Sequence, residues 1–350
     1  MPVFTIDPLT DARWDTLVER HRRGTVFHSS AWLSALQRTY AYQPAAFTTC
    51  SPGEALINAL VFCKVKSWIT GRRLVSLPFS DHCDVLADSP AERDQLLARA
   101  CECVGPTGCA RAEFRPLTVE EQSWPEALNL RPSKRFWLHT VPLDIPLDTL
   151  FRNLHKNCIQ RKIRRAERER LIYEKGRSEI LLRKFFDLLV RTRKRQYRPP
   201  QPLQWFRNLV ESMGENLLIR LVSKDDRPVA AILTLSHQTT ITYKYGCSDE
   251  RFHSLGGTPF LFWKAMQESK NDGMLELDLG RSDLDHAGLV EFKDRLGAIK
   301  TSLTYWQYPA MNAAGVTQPN WGIPVAKTVF SWIPDSVLVA SGRFLYRHMG

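Results

Sequence analysis

Four charged side chains, Asp278, Arg281, Asp283 and Lys293, gather in one short stretch of the sequence. They follow the apolar run Leu275 to Leu279, which has strand character, and reach onto a helical pattern from His286 to Leu296. Polar groups just past the end of a core strand are commonly functional, because the strand holds them rigid where a cleft opens. A guanidinium at Arg281 suits two-pronged binding of a carboxylate or phosphate. The same groups also suit an internal salt-bridge network that only fixes the domain. Tyr243, Tyr245 and His253 are further candidates, as proton shuttles. A tyrosine alternating along a strand also serves as half-buried core.

The elements that must hold these residues follow an order that occurs twice. In the first half, helical patterns at Trp14 to His21 and Ser30 to Arg38 precede strand-like runs at Ala46 to Cys50, Ala55 to Lys66 and Arg72 to Pro78. A helix at Ala91 to Val104, opened by Ser89-Pro90, and strands at Ala110 to Arg115 and Phe136 to Leu143 complete it. The second half repeats the order. Helices at Ile180 to Tyr197 and Pro202 to Met213 lead into strands at Leu217 to Ser223, Val229 to Ser236 and Ile241 to Cys247. A helix at Thr258 to Lys270, with Thr-Pro at its start and Asn-Asp-Gly at its end, precedes the Leu275 strand, and a strand at Ser302 to Tyr308 closes the set. This is a duplicated α+β domain with a mixed sheet in each copy. The expected organisation is an N-terminal domain over 1–148, a basic helix over 149–178, a C-terminal domain over 179–310, and a tail over 311–350 that packs on the body.

The chain has 350 residues, 43% apolar and 24% charged, a globular balance with room for two cores. No export signal and no run of roughly 20 apolar residues is visible, so a cytoplasmic protein is expected, with peripheral contact at the inner membrane left open. The net charge is +11, and residues 151–198 carry 17 Lys and Arg against 5 Asp and Glu, which leaves the remainder near neutral. Such a field suits a polyanionic partner such as CoA, tRNA or anionic lipid, or it is a solvated helix face. The eight cysteines form no zinc-ligand pattern, and neither Cys83 nor Cys247 has an oriented histidine partner that the sequence reveals. No metal is expected.

Residues 217–279 resemble the strand and helix core of the GNAT acyltransferases. The chain as a whole resembles the tandem-GNAT branch, the FemAB-type peptidyltransferases and their exopolysaccharide-associated, CelD-like relatives. The resemblance rests on Thr25-Val26-Phe27-His28-Ser29-Ser30-Ala31-Trp32, on Leu77-Pro78-Phe79-Ser80-Asp81, and on the basic stretch Lys156 to Ala166. Its most specific part is Asp278-Leu279-Gly280-Arg281-Ser282 with Phe292-Lys293-Asp294-Arg295-Leu296-Gly297-Ala298.

The resemblance implies two GNAT-like domains, the first degenerate and the second catalytic, and direct attack of an amine on an acyl carbonyl. That chemistry needs an aligned ester and donors for the developing oxyanion. In a GNAT core two neighbouring strands splay and expose backbone groups to the donor; here they are Thr242 to Cys247 and Leu275 to Gly280. The next helix start, at Gly256, Gly257 and Thr258, is placed to bind pyrophosphate through free N–H groups, or is simply a tight loop before a helix. Lys156, Arg161, Arg164 and Arg165 would supply positive charge to the donor. Lys293 matches the lysine of the family's Phe-Lys motif, which implies stabilisation of charge on the donor or tetrahedral intermediate.

The loop departs from the common Gln/Arg-x-x-Gly-x-Gly/Ala signature, because Arg251 to Gly257 has different spacing. The implied co-substrate is therefore acyl-CoA or aminoacyl-tRNA, and the acceptor an amine-bearing envelope or exopolysaccharide precursor. A nucleic-acid-binding protein built on the basic stretch, and an inactive adaptor that keeps the fold, are the alternatives. The basic stretch lacks the interleaved aromatics that stack on bases.

Overall fold

The computed structural model describes residues 2–69, 71–105, 108–117, 128–309 and 334–349. The described chain forms two compact units. The first holds residues up to Phe136, the chain from Ser302, and the C-terminal turns from Phe344; the second runs from Trp137 to Thr301 and includes residues before Phe344 near the C-terminus.

In the first unit, β1 (Phe4–Ile6) is followed by α1 (Trp14–Arg20) and α2 (Ser30–Tyr40), whose N-terminus is capped by Ser29 Oγ accepting from the Trp32 amide. β2 (Gln43–Thr48), β3 (Leu60–Ser67) and β4 (Gly71–Val75) form antiparallel neighbours. α3 (Pro90–Glu102) has Pro90 in its first turn and a Ser89 cap. β5 (Arg111–Phe114) joins β4 in parallel and receives Trp306 to Tyr308 on its other side. One sheet face packs Phe47, Phe62, Leu74 and Ala112 on Leu96, Leu97 and Ala100 of α3.

The second unit begins within β6 (Arg131–Pro142) and continues through α4 (Leu147–Asn153), a π turn at Lys156–Gln160, α5 (Arg161–Arg168) and β7 (Ile172–Gly176). The single basic helix expected over 149–178 is therefore corrected to two short helices and an edge strand. The chain breaks at Leu154, which is extended. There the His155 amide donates to the Arg295 carbonyl, and Gln160 Nε2 donates to the carbonyls of Phe151 and Leu154. Long-range partners thus satisfy backbone groups that a continuous helix would have paired internally.

α6 (Glu179–Arg195), α7 (Leu203–Met213), β8 (Leu217–Lys224), β9 (Arg227–His237) and β10 (Thr240–Ser248) come next, then α8 (Gly257–Asn271), β11 (Glu276–Asp283), α9 (Ala287–Arg295) and β12 (Ile299–Tyr308). The strand order in this unit is β6-β11-β10-β9-β8-β7. Of the expected tail, the residues up to 333 lie outside the described residues. The rest is a helix, α10 (Asp335–Met349).

Two cores flank the sheet of the second unit. Val222, Ile232, Ile241, Leu277 and Leu279 pack with Phe260, Phe262 and Met266 of α8 on one side. Phe185, Trp205 and Phe206 of α6 and α7 are buried on the other, where Phe206 lies edge-on to Tyr245.

Candidate acyltransferase site

β10 and β11 are parallel neighbours only from Thr240 to Thr242, opposite Glu276 to Asp278. Beyond these three pairs their backbones no longer match, although both strands continue. β10 also carries a bulge between Tyr243 and Tyr245, where Lys244 is the extra residue against β9. A bulge bends its strand and leaves a backbone group out of the ladder. From there on, Tyr243 to Ser248 and Leu279 to Asp283 are no longer partnered with each other, so β10 and β11 part at this end while β10 keeps its pairing with β9.

The bulge also sends the two tyrosines to opposite faces of the sheet. Tyr243 packs against Phe262 of α8, with ring centroids 4.8 Å apart. Its phenol lies over Gly246, where an added Cβ would come within 2.1 Å of the tyrosine oxygen. Tyr245 turns to the opposite face, is buried, and accepts a 2.8 Å hydrogen bond from Trp205 Nε1. In a regular strand positions 243 and 245 share a face; the extra residue separates them. His253 stands on the turn before α8, with Nε2 2.8 Å from Ser248 Oγ, and burial followed by the charges of Arg195 and Lys162 pushes its pKa down.

Gly256 caps α8 in the left-handed region, with φ at 81°. A Cβ there would lie 2.2 Å from the Lys162 carbonyl of α5. At Gly257 a Cβ would meet Val222, Val229 and Ala230 at 3.0 to 3.4 Å. Both glycines are buried and Thr258 is half-buried. The two glycines therefore let α5 and the sheet approach the start of α8 closely. Lys156, Arg161, Arg164 and Arg165 are exposed on or just before α5. Arg164 lies over the Phe151 ring at 5.6 Å and Arg165 is 3.6 Å from Glu169, so two of the four are partly engaged in local contacts.

At the end of β11, Asp278 is buried and its Oδ1 accepts from the Gly280 amide at 2.7 Å. Gly280 has φ at 70°. Lys293 of α9 is buried, and its Nζ donates to the carbonyls of Gly280 at 2.9 Å and Arg281 at 3.0 Å. The ammonium thus ties α9 to the part of β11 that has left the ladder. Arg281 is half-buried beside it and Asp283 is exposed at the strand end. Asp278, Arg281 and Lys293 share one locale, while Tyr245 does not open on it.

His139 on β6 belongs to this locale and has no signature in the sequence. It is fully buried, with Nε2 3.3 Å from Asp294 Oδ1 but neither ring nitrogen in a hydrogen bond. Burial, with the Lys293 charge adding to it and Asp294 opposing, pushes its pKa down to about 4. Only the pairing of β6 beside β11 brings it there.

In the first unit, the motif Leu77 to Asp81 is a turn with Leu77 and Phe79 at positive φ, 59° and 61°. Arg115 Nη1 donates to the Leu77 and Ser80 carbonyls, its Nε donates to Glu113, and Tyr305 Oη donates to the Asp81 carbonyl. Such backbone persists only where the surroundings over-determine it. Cys83 lies 3.4 Å from His28 Nε2, yet burial pushes its pKa far up, as it does for Cys247, so both thiols stay protonated. Among the described residues no group of His, Cys, Asp and Glu is arranged to hold a metal ion.

Residues 154–293 match the family model described as an acetyltransferase (GNAT) domain. No curated protein matches the chain in sequence. Among solved structures, that of FemX superposes with a TM-score of 0.70 at 14% identity, covering 87% of this chain and 97% of that one. The C-terminal domain of an Agrobacterium fabrum protein assigned as a lysylphosphatidylglycerol synthetase gives 0.55 at 14%, covering 94% and 96%. A tandem GNAT protein from the clavulanic acid biosynthesis pathway gives 0.51 at 12%, covering 87% and 97%. Residues 154–293 are thus similar to the GNAT acetyltransferase domain, within a chain that shares the fold of the tandem-GNAT structures.

Proposed function

We propose that the protein is an N-acyltransferase that moves an acyl or aminoacyl group from an activated donor to the amine of a cell-envelope or exopolysaccharide precursor. The observation that carries this reading is the separation of β10 from β11 after Thr242 and Asp278, inside the segment that matches the GNAT model. The donor's acyl arm lies between the strands, held by main-chain groups on both sides. Main-chain N–H groups near the β10 bulge at Lys244 would donate to the carbonyl oxygen as negative charge develops on it.

In this reading the neutral amine attacks the carbonyl carbon, the tetrahedral intermediate collapses, and the thiolate or ribose oxygen leaves as the amine loses its proton. Tyr243 gives the leaving group a proton and is restored by the proton that the attacking amine gives up. Lys293 fixes the far wall and adds positive potential. Arg281 binds an anionic group of donor or acceptor. The cations of α5, beside the start of α8, attract the donor's phosphates. The tight packing around Gly256 and Gly257 favours a donor held by side chains of α5 over one wrapped by an open phosphate loop, which supports aminoacyl-tRNA alongside acyl-CoA. The likeness to the Agrobacterium protein assigned as a lysylphosphatidylglycerol synthetase also fits aminoacyl transfer to an envelope component. We place the chain in the cytoplasm on the same reading.

The test is a transfer assay with radiolabelled acyl-CoA and radiolabelled aminoacyl-tRNA, each offered amino-sugar and aminoacylated lipid precursors. Label moving to an amine from one donor supports the proposal. Tight binding of a protein partner without transfer from either donor supports an adaptor instead.

A further inference from the structure

The first unit presents a patch unrelated to the acyltransferase opening. The β3–β4 hairpin tip carries Trp68, 76% exposed, and Ile69, 50% exposed. Phe344 of the C-terminal helix lies beside Trp68, with ring centroids 6.0 Å apart, and is 53% exposed; Met349 is 60% exposed. Trp68 Nε1 donates to His348 Nε2 at 3.1 Å, which holds the exposed indole against the C-terminal helix. Large apolar side chains grouped on a surface mark contact sites, and tryptophan favours the boundary between lipid and water.

Cations surround this apolar group. Lys64, Lys66 and Arg347, with Tyr40 and Tyr42, line a pocket of about 120 Å³ that has no acidic residue in its wall. No salt bridge or side-chain hydrogen bond engages these three cations among the described residues. Lys66 stands directly opposite Arg72 in the β3–β4 ladder. Like charges so placed destabilise a sheet, and an anionic partner relieves the repulsion. Tyr42 Oη donates to the Tyr346 carbonyl at 2.8 Å, tying the pocket to the helix that supplies Arg347 and Phe344.

We infer that this patch docks the protein on an anionic bilayer, with Trp68, Ile69, Phe344 and Met349 in the interfacial layer and a lipid phosphate between Lys64, Lys66 and Arg347. The charge of the pocket decides for lipid over a neutral apolar partner, and the exposed Trp68, Ile69 and Phe344 side chains beside it decide for a bilayer over a free phosphate. No helix among the described residues is long and apolar enough to cross a membrane, so the contact is peripheral. The inference does not depend on the acyl donor or on the transfer reaction.

The test is sedimentation of the full chain with phosphatidylcholine vesicles, with and without phosphatidylglycerol, at low and high salt. Binding is expected only to the anionic vesicles. Each cation near such a surface strengthens binding about fivefold, so K64Q/K66Q/R347Q weakens it about a hundredfold. Trp68→Ser with Phe344→Ser leaves low-salt binding partly intact and abolishes binding at high salt, where the apolar contact carries the affinity. The lysine and arginine changes are at exposed positions and keep the fold readable by circular dichroism. Equal binding to both vesicle types, no binding to either, or unchanged binding by the folded variants overturns the inference. So does inorganic phosphate bound in the pocket by a protein that ignores vesicles.

Discussion

The Nζ of Lys293 lies 2.9 Å from the carbonyl oxygen of Gly280, joining α9 to β11 just after that strand leaves β10. The lysine therefore holds one wall of the opening, besides bringing charge to it. Lys293→Met keeps the length of the side chain but removes the ammonium donor from the buried Gly280 carbonyl and the part-buried Arg281 carbonyl. It should cost about 2–4 kcal/mol of stability in urea denaturation. Transfer by the folded fraction should fall about a hundredfold, because small displacements of a positioning wall are costly to rate. Lys293→Arg should not restore it, since a planar guanidinium does not fit the place of a compact ammonium. Wild-type rates in a folded Lys293→Met protein would count against this role.

Gly256 and Gly257 should tolerate substitution poorly, for different reasons. Gly256→Ala places a side chain at positive φ and against the Lys162 carbonyl, and should lower stability by at least about 2 kcal/mol. Gly257→Val should be worse than Gly257→Ala, because Val222, Val229 and Ala230 already crowd the site. Thermal melts check both. Donor affinity should fall with Gly256→Ala as α5 moves away from the start of α8.

The two tyrosines flanking the bulge should separate in assay. Tyr245→Phe removes the acceptor for Trp205 Nε1 and should cost about 1–2 kcal/mol of stability with the transfer rate within about twofold of wild type. Tyr243→Phe should leave the melt unchanged and slow transfer about tenfold or more. Parallel melts and initial rates on the two variants decide the assignment.

His139 gives a pH signature. Its pKa in the folded state is down at about 4, against about 6.5 in the unfolded chain. Above the unfolded value both states are neutral and the contribution to stability is complete. As pH falls from about 6.5 to about 4 the unfolded state takes up a proton that the folded state refuses. Stability should then drop by about 3 kcal/mol and level off below. His139→Leu should remove most of this slope in denaturation curves taken across that range. His21, also depressed by burial, adds a smaller slope of the same sign.

The order of helices and strands in both halves was legible because capping residues and apolar periodicity are local signals. Ser29 and Ser89 cap where their sequence patterns say they should. The features that shape the site were not local. The break at Leu154 depends on the Arg295 carbonyl, the sides of Tyr243 and Tyr245 depend on a one-residue register shift against β9, and His139 reaches Lys293 only through strand order. β7, with the sequence Ile-Tyr-Glu-Lys-Gly, carries no strand pattern of its own and is extended because β8 offers it an edge. The cluster at Asp278 to Lys293 was visible as composition, but only the fold shows Lys293 binding the Gly280 and Arg281 carbonyls of β11.

A crystal structure with a bound donor analogue, either a CoA thioester mimic or an aminoacylated adenosine, tests the central claim most directly. The account predicts density for the acyl arm between the backbones of Tyr243 to Ser248 and Leu279 to Asp283, with its carbonyl oxygen facing the bulge at Lys244. An analogue bound elsewhere while that opening stays closed by side chains would contradict it.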